Sequence, residues 1–143
     1  MCDSERRWFA AALAMLLVSG ILGCGGQDGL VTVSGTATHD GKPVEDLVVV
    51  FKPEAGRISS GKTDAQGRFT LLYTRDQEGV EKGKHKVYVQ YSPSDMDMQM
   101  AIEQGTAKIP AEVSEIVAKY GNPEKSPLTF DIQQSQEIDL KLD

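Results

Sequence analysis

Cys24 is the residue whose neighbours most narrow its chemistry. It is one of two cysteines in the 143-residue chain, it follows Ile21-Leu22-Gly23, and two glycines come after it. A thiol is a ready nucleophile, and the residue before it, Gly23, is small. Other chemistry-bearing residues are scattered. Met96, Met98 and Met100 form M-D-M-Q-M, and thioethers are soft ligands that suit Cu(I). No histidine or cysteine lies near them in sequence, so the plainer expectation is a flexible apolar loop that covers one end of the fold or meets a partner. Asp64, Asp95 and Asp97 offer oxygens to calcium, but the spacing of a dedicated loop is missing, and a turn-forming role is expected. His39 and His85 stand in turn and strand-edge contexts. Without a G-x-S-x-G they read as two solvated histidines and not as members of a hydrolytic set. Lys82–Lys86, K-G-K-H-K, reads as a solvated turn and strand start.

The residues before Cys24 explain its setting. Residues 1–7 are polar and carry Arg6 and Arg7, residues 8–18 are an unbroken apolar run, and residues 19–23 are small or aliphatic. This is the layout of a secretory signal. An apolar run of this length is well short of the roughly 20 residues that span a bilayer as a helix. Ile21-Leu22-Gly23-Cys24 resembles the bacterial lipobox. That resemblance implies cleavage before Cys24, lipid on its thiol and usually a further acyl group on the new amino terminus. Arg6-Arg7-Trp8-Phe9 resembles part of a twin-arginine export signal, but Glu5 precedes it and no basic residue follows, which favours the general secretory route. The expected products are a signal peptide at 1–23, a lipidated tether at 24–30 and a domain at 31–143.

Cleavage there would leave about 120 residues, enough for one core. Asp3 and Glu5 offset Arg6 and Arg7 in the removed segment, so the remainder keeps the whole net charge of −6. An acidic balance argues against nucleic acid, which calls for a basic patch, and against electrostatic adhesion to anionic headgroups. Two or more acyl chains would instead hold the protein on a membrane. With Cys24 lipidated no disulfide is available to the domain, and there is no CxxC or metal-spaced His/Cys cluster.

The domain reads as strands. VTVSGTAT, 31–38, places Val31, Val33, Gly35 and Ala37 on one face and hydroxyl residues on the other. Asp40-Gly41 favours a tight turn, with Pro43 two residues later. LVVVFKP, 47–53, is a central strand closed by Pro53. Two further strands flank a turn at Asp64–Gly67, where Asp64 suits an Asx-turn and Gly41 and Gly67 suit positive φ. HKVYVQY, 85–91, alternates again. Residues 92–126 lose strand character, and only 110–120 shows helical spacing, from Pro110 to a Gly121 cap with Pro123 as a stop. Strands return at 128–132 and 138–142. The pattern predicts an all-β, antiparallel β-sandwich of about seven strands, with one short helix inside the 92–126 insertion.

VTVSGTATHDGKPVEDLVVVFKP, SGKTDAQGRFTL and GVEKGKHKVYVQY together resemble the transthyretin-like, carboxypeptidase-regulatory-like domain. The matching positions include Gly35, Gly41, Pro43, Phe51, Thr63, Asp64, Gly67, Phe69, Gly83 and Val87. Joined to a lipobox and to the IP…KY segment, the chain resembles small planctomycete-type lipoproteins. The resemblance implies a Greek-key-type sandwich. One branch of that fold hydrolyses 5-hydroxyisourate with an N-terminal-strand histidine and a C-terminal Tyr-Arg-Gly-Ser. This chain ends in Asp139-Leu140-Lys141-Leu142-Asp143, and its 31–38 strand has no histidine. A related crosslinking sandwich needs a first-strand lysine, also absent here.

The sequence therefore predicts a non-catalytic, membrane-anchored cell-envelope lipoprotein, exported and facing the periplasm or cell exterior. Its sandwich would serve as a binding or structural module for an envelope protein or polymer, with no cofactor beyond the covalent lipid on Cys24. The alternative is an envelope enzyme or copper carrier that uses the 92–126 insertion.

Overall fold

The computed structural model describes residues 29–143. Cys24, Ile21, Leu22 and Gly23, and with them the 1–23 and 24–30 assignments up to residue 28, lie outside them. Twelve strands and two helices follow in order. β1 (Leu30–Val31), β2 (Val33–His39), β3 (Lys42–Pro43) and β4 (Leu47–Pro53) come first. β5 (Ser59–Lys62), β6 (Arg68–Thr70), β7 (Leu72–Thr74), β8 (Gln77–Glu78), β9 (Val80–Glu81) and β10 (Gly83–Tyr91) follow. Then come α1 (Met96–Glu103), α2 (Ala111–Tyr120), β11 (Thr129–Ile132) and β12 (Gln136–Lys141).

The larger sheet has six strands in the order β11-β10-β4-β5-β7-β8; the smaller joins β12, β2 and β3, with β6 also paired to β2. The fold is an all-β sandwich whose sheets are antiparallel except at the β12–β2 pair, and its centre is the β4–β10 pair. Phe51 lies opposite Val87, Val49 opposite Val89 and Pro53 opposite His85. β-branched residues fill these strands because they pack well on a pleated surface. Leu47, Val49, Phe51, His85, Val87 and Val89 are fully buried on the inner side. The second sheet meets them with Val33, Ala37, Phe69, Ile138 and Leu140, all buried. The alternation expected for 31–38 is the one observed, with Val33, Gly35 and Ala37 turned inward.

Three details differ from expectation. The insertion holds two helices instead of one, because α1 folds without contributing a buried residue. β12 runs parallel to β2, with Ile138 beside Gly35 and Leu140 beside Ala37. An antiparallel neighbour can follow through a tight hairpin, whereas a parallel one needs a long connection; here the rest of the domain supplies it. His85 is not solvated. It is fully buried, and its ring lies 5.9 Å from that of Phe51. Its Nε2 lies 2.8 Å from the Glu81 carbonyl. A carbonyl only accepts, so Nε2–H donates there.

The close approach of β12 to β2 depends on Gly35. A Cβ there would collide with the Ile138 carbonyl and the Phe69 ring. Gly41 is different: it follows Asp40 (φ 47°) with φ 75° in the β2–β3 turn and faces open space. Two consecutive positive φ values define a type I′ turn, which matches the strand twist. Gly35→Ala is expected to lower the unfolding free energy by about 2–3 kcal/mol through overpacking. Gly41→Ala should cost about 1–2 kcal/mol through backbone conformation alone. Denaturant titrations of the two variants check this, and a costlier Gly41→Ala would contradict it.

Candidate functional site

The registers give the sandwich two poles. Leu30 pairs with Glu81, and the Lys82 N–H donates to the Gly29 carbonyl at 3.3 Å, so the chain enters beside the start of β10. At the far end of β10, Tyr91 lies opposite Leu47, and the Ser92 N–H donates to the Asp46 carbonyl at 2.8 Å. The nine residues of β10 therefore separate the entry from the insertion. At roughly 3.3 Å per residue, that is about 30 Å.

A three-residue clasp fixes the base of the insertion. Asp46 follows the β3 segment with φ 62°, a left-handed conformation that Asp tolerates better than most residues. Its Oδ1 lies 3.1 Å from the Lys62 ammonium and accepts the Ser94 hydroxyl at 2.5 Å. Lys62 in turn donates to Ser94 Oγ at 2.9 Å. Partial burial pushes the Asp46 carboxyl up, but bonds from the Ser94 hydroxyl and N–H and from Lys62 outweigh it and hold the group below its usual range. The trio contains a hydroxyl beside an amine, the makings of a nucleophile and base. The observed bonding is that of a tie, because Lys62 donates to the hydroxyl and the hydroxyl donates to Asp46.

α1 follows this clasp, with Gln99, Ala101 and Ile102 half-buried and no residue fully buried. Asp95 caps it, its carboxylate accepting the N–H groups of Asp97 at 2.9 Å and Met98 at 3.4 Å. At its other end Gly105 takes φ 72°, and the Thr106 N–H and hydroxyl both return to the Ala101 carbonyl. Met96, Met98 and Met100 are 68%, 42% and 48% exposed. Residues four apart share a helix face and residues two apart do not, so Met96 and Met100 stand together while Met98 points elsewhere. The three thioethers of M-D-M-Q-M are thus split between two sides of α1. α2 behaves differently, burying Val113, Ile116 and Tyr120 against the core. The Tyr120 hydroxyl and the Lys119 ammonium both donate to the Asp143 carbonyl.

The other sequence candidates have structural partners. Asp64 Oδ1 accepts the N–H groups of Gln66 and Arg68, each at 2.9 Å. Gly67 beside it takes φ 72° against the Ala37 carbonyl and Pro43, which lies on the exposed β3 edge. The Arg68 N–H, then the Gln66 N–H and the Arg68 charge, hold the Asp64 carboxyl below its usual range. His39 Nδ1 meets the Leu142 carbonyl at 2.5 Å, and its Nε2 lies 3.8 Å from Asp40. That carbonyl, helped by Asp40, Glu112 and Asp143, raises its pKa against partial desolvation. Asp64, Asp95 and Asp97 do not gather: among the described residues, no three His, Cys, Asp or Glu side chains form a metal-holding group. Sequence reading missed Asp46, Lys62 and Ser94 as a set. They come from three segments that meet only at this pole, and the one local signal was a Ser-Asp pair ahead of α1.

Compared with known proteins, the chain matches no family model, no curated protein and no solved structure. Among the described residues no helix is long and apolar enough to cross a membrane.

Two titrations follow from these geometries. Asp46 has a lowered folded pKa, so its stabilisation is present above the unfolded value of about 3.9 and is lost as pH falls through the folded value. Asp46→Asn should therefore lie below the native protein in stability at neutral pH and converge with it in acid. His39 has a raised folded pKa, so its contribution is fully present below about pH 6.5 and is lost as pH rises through the folded value. The gap between the native protein and His39→Gln should accordingly be widest near pH 5 and close on the alkaline side. Thermal unfolding across pH reads both; parallel pH profiles would refute the assignments.

Proposed function

We propose that the chain is an exported, lipid-anchored envelope lipoprotein of the transthyretin-like type, held by Cys24, with a non-catalytic sandwich that presents α1 to a protein or polymer partner. The observation that carries the binding reading is α1 itself. It is capped at both ends and tied down by the Asp46–Lys62–Ser94 clasp, yet none of its residues is fully buried and it exposes three methionines. Packing does not account for an ordered helix with no core residue. Flexible, polarizable methionines at a surface suit adaptable contact with a partner. Its place also supports the reading: a domain tethered through Gly29 would hold α1 about 30 Å away from its leash, clear of a bilayer. A thioether metal site gains no support from a helix that splits the three sulfurs.

Two experiments test the two halves. The intact mass of the protein from its native membrane fraction should begin at residue 24 and include acyl chains, and Cys24→Ser should lose both the acyl mass and membrane association. A free, unacylated chain would end the anchor reading. Photo-crosslinkers placed at Met96 and Met100 should then give discrete adducts in intact cells, while one at Glu54, near the entry pole, should not give the same adducts. Identical adduct patterns from both poles would end the proposal that α1 is the contact surface.

A further inference from the structure

The entry half of the large sheet carries a cluster that the binding surface at α1 does not use. Lys84 and Lys86 alternate with buried His85 and Val87, so they stand on the outer face of β10. Lys52 of β4 lies directly opposite Lys86 in register. Like charges directly opposite one another destabilise a sheet, and here a third ammonium lies two residues away in a chain of net charge −6. The lysines line a cleft of about 370 Å³, walled by Glu54, Glu124 and Thr129. Thr129 pairs with Lys86 on β11, and Lys84 faces Asp131 across the same strands.

The charges in the cleft are incompletely matched. The Glu124 carboxylate approaches Lys52 at 3.7 Å and is 78% exposed. Lys86 donates to the Glu124 main-chain carbonyl at 3.3 Å and not to its carboxylate. The Lys84 ammonium makes no hydrogen bond or ion pair among the described residues. Glu124 sits on the 121–128 segment beside β10, pinned where the Ser126 hydroxyl donates to the Val87 carbonyl at 2.5 Å. Its backbone is held there, while its carboxylate reaches Lys52 from an exposed position.

We propose that this cleft binds a phosphate ester group, held by Lys52, Lys84 and Lys86 with the Thr129 hydroxyl, and that the Glu124 carboxylate competes with it. Three compact ammonium groups and a hydroxyl suit a tetrahedral anion with several oxygens. Lysine binds phosphate as a point charge, and three ammonium groups with a hydroxyl can meet several of its oxygens at once. The site lies near the chain entry, since Lys82, two residues before Lys84, holds Gly29. Both a phospholipid headgroup and a soluble phosphate ester carry the required chemistry. The site does not depend on the lipid anchor on Cys24.

The test follows the acetylation rate of each lysine by mass spectrometry on the full chain. One arm uses neutral detergent with inorganic phosphate or chloride at equal ionic strength. The other uses vesicles of phosphatidylglycerol or of phosphatidylcholine. Lys52, Lys84 and Lys86 should react about threefold to fivefold more slowly in inorganic phosphate than in chloride, or on phosphatidylglycerol than on phosphatidylcholine, whose choline already pairs its phosphate; this is the range of a surface charge contact, while Lys42 and Lys141 stay unchanged. Protection by inorganic phosphate identifies a soluble ester as a sufficient ligand; protection only by phosphatidylglycerol identifies a headgroup. Glu124→Gln should deepen the protection, and Lys52→Met should weaken it at Lys84 and Lys86. Because both side chains are on the surface, circular dichroism should show unchanged folding. Uniform slowing of all lysines, no slowing in either arm, or no response to Glu124→Gln would overturn the proposal.

Discussion

The seven-residue antiparallel pairing of β4 with β10 is the constraint on which the rest of the molecule depends. Its register decides which side chains face the second sheet and which face water. Leu47, Val49 and Phe51 interleave with Val87, Val89 and His85 to form the core. The period of two then leaves Lys52, Lys84 and Lys86 no direction but outward. The same register places the start of the insertion beside Asp46, while the β1–β9 pairing places the chain entry beside Glu81. A slip of one residue would exchange the core for the lysine face along the whole pair.

The distal pole shows what a rigid frame allows. α1 contributes nothing to the core, so its stability must come from its caps, from the propensity of Met, Gln, Ala and Glu, and from the clasp at its base. The clasp works because Asp46 is held in a left-handed conformation between two hydrogen-bonded neighbours. The Asp46 N–H donates to the Thr63 carbonyl at 3.2 Å, and the Leu47 N–H donates to Thr63 Oγ1 at 2.9 Å. Thr63 is thus the buried fixture that transmits the geometry of β4 to Asp46, and Asp46 transmits it to Ser94.

Much of the fold was legible because its strands bury one face and not the other. Val33, Gly35 and Ala37 announced their sheet face, and Val113, Ile116 and Tyr120 announced a helix stripe. α1 was not legible because its methionines recur every second residue. That is the period of a strand and not of a helix, although Met, Gln, Ala and Glu favour a helix. His85 shows a different failure. Its position in the alternation with Val87 and Val89 pointed inward, but its polar side chain suggested water. The Glu81 carbonyl resolves the conflict, and nothing local in the sequence marks that carbonyl as the partner. The parallel pairing of β12 was equally hidden, since alternation gives a strand its faces and not its direction. The Asp46–Lys62–Ser94 clasp and the lysine cleft share one cause of invisibility. Each gathers residues from segments that only the completed sheet brings together.

The two surface features differ in how they are tied to the core, and this bears on how each can vary. The lysines stand on the two strands that build the core, so their spacing is fixed to within the pleat, and only their side-chain ends can change. α1 hangs from the clasp and the segment around it, so its face can change composition without disturbing any buried contact. A site for a small, geometrically demanding group such as a phosphate suits the first arrangement, because preorganised charges lose little freedom on binding. A surface for an extended partner suits the second, because a helix free of core duty can adapt its contacts. The division follows from the β4–β10 register: the entry end of that pair carries the lysines, with β10 held between β4 and β11, and its far end is where the chain leaves the sheet.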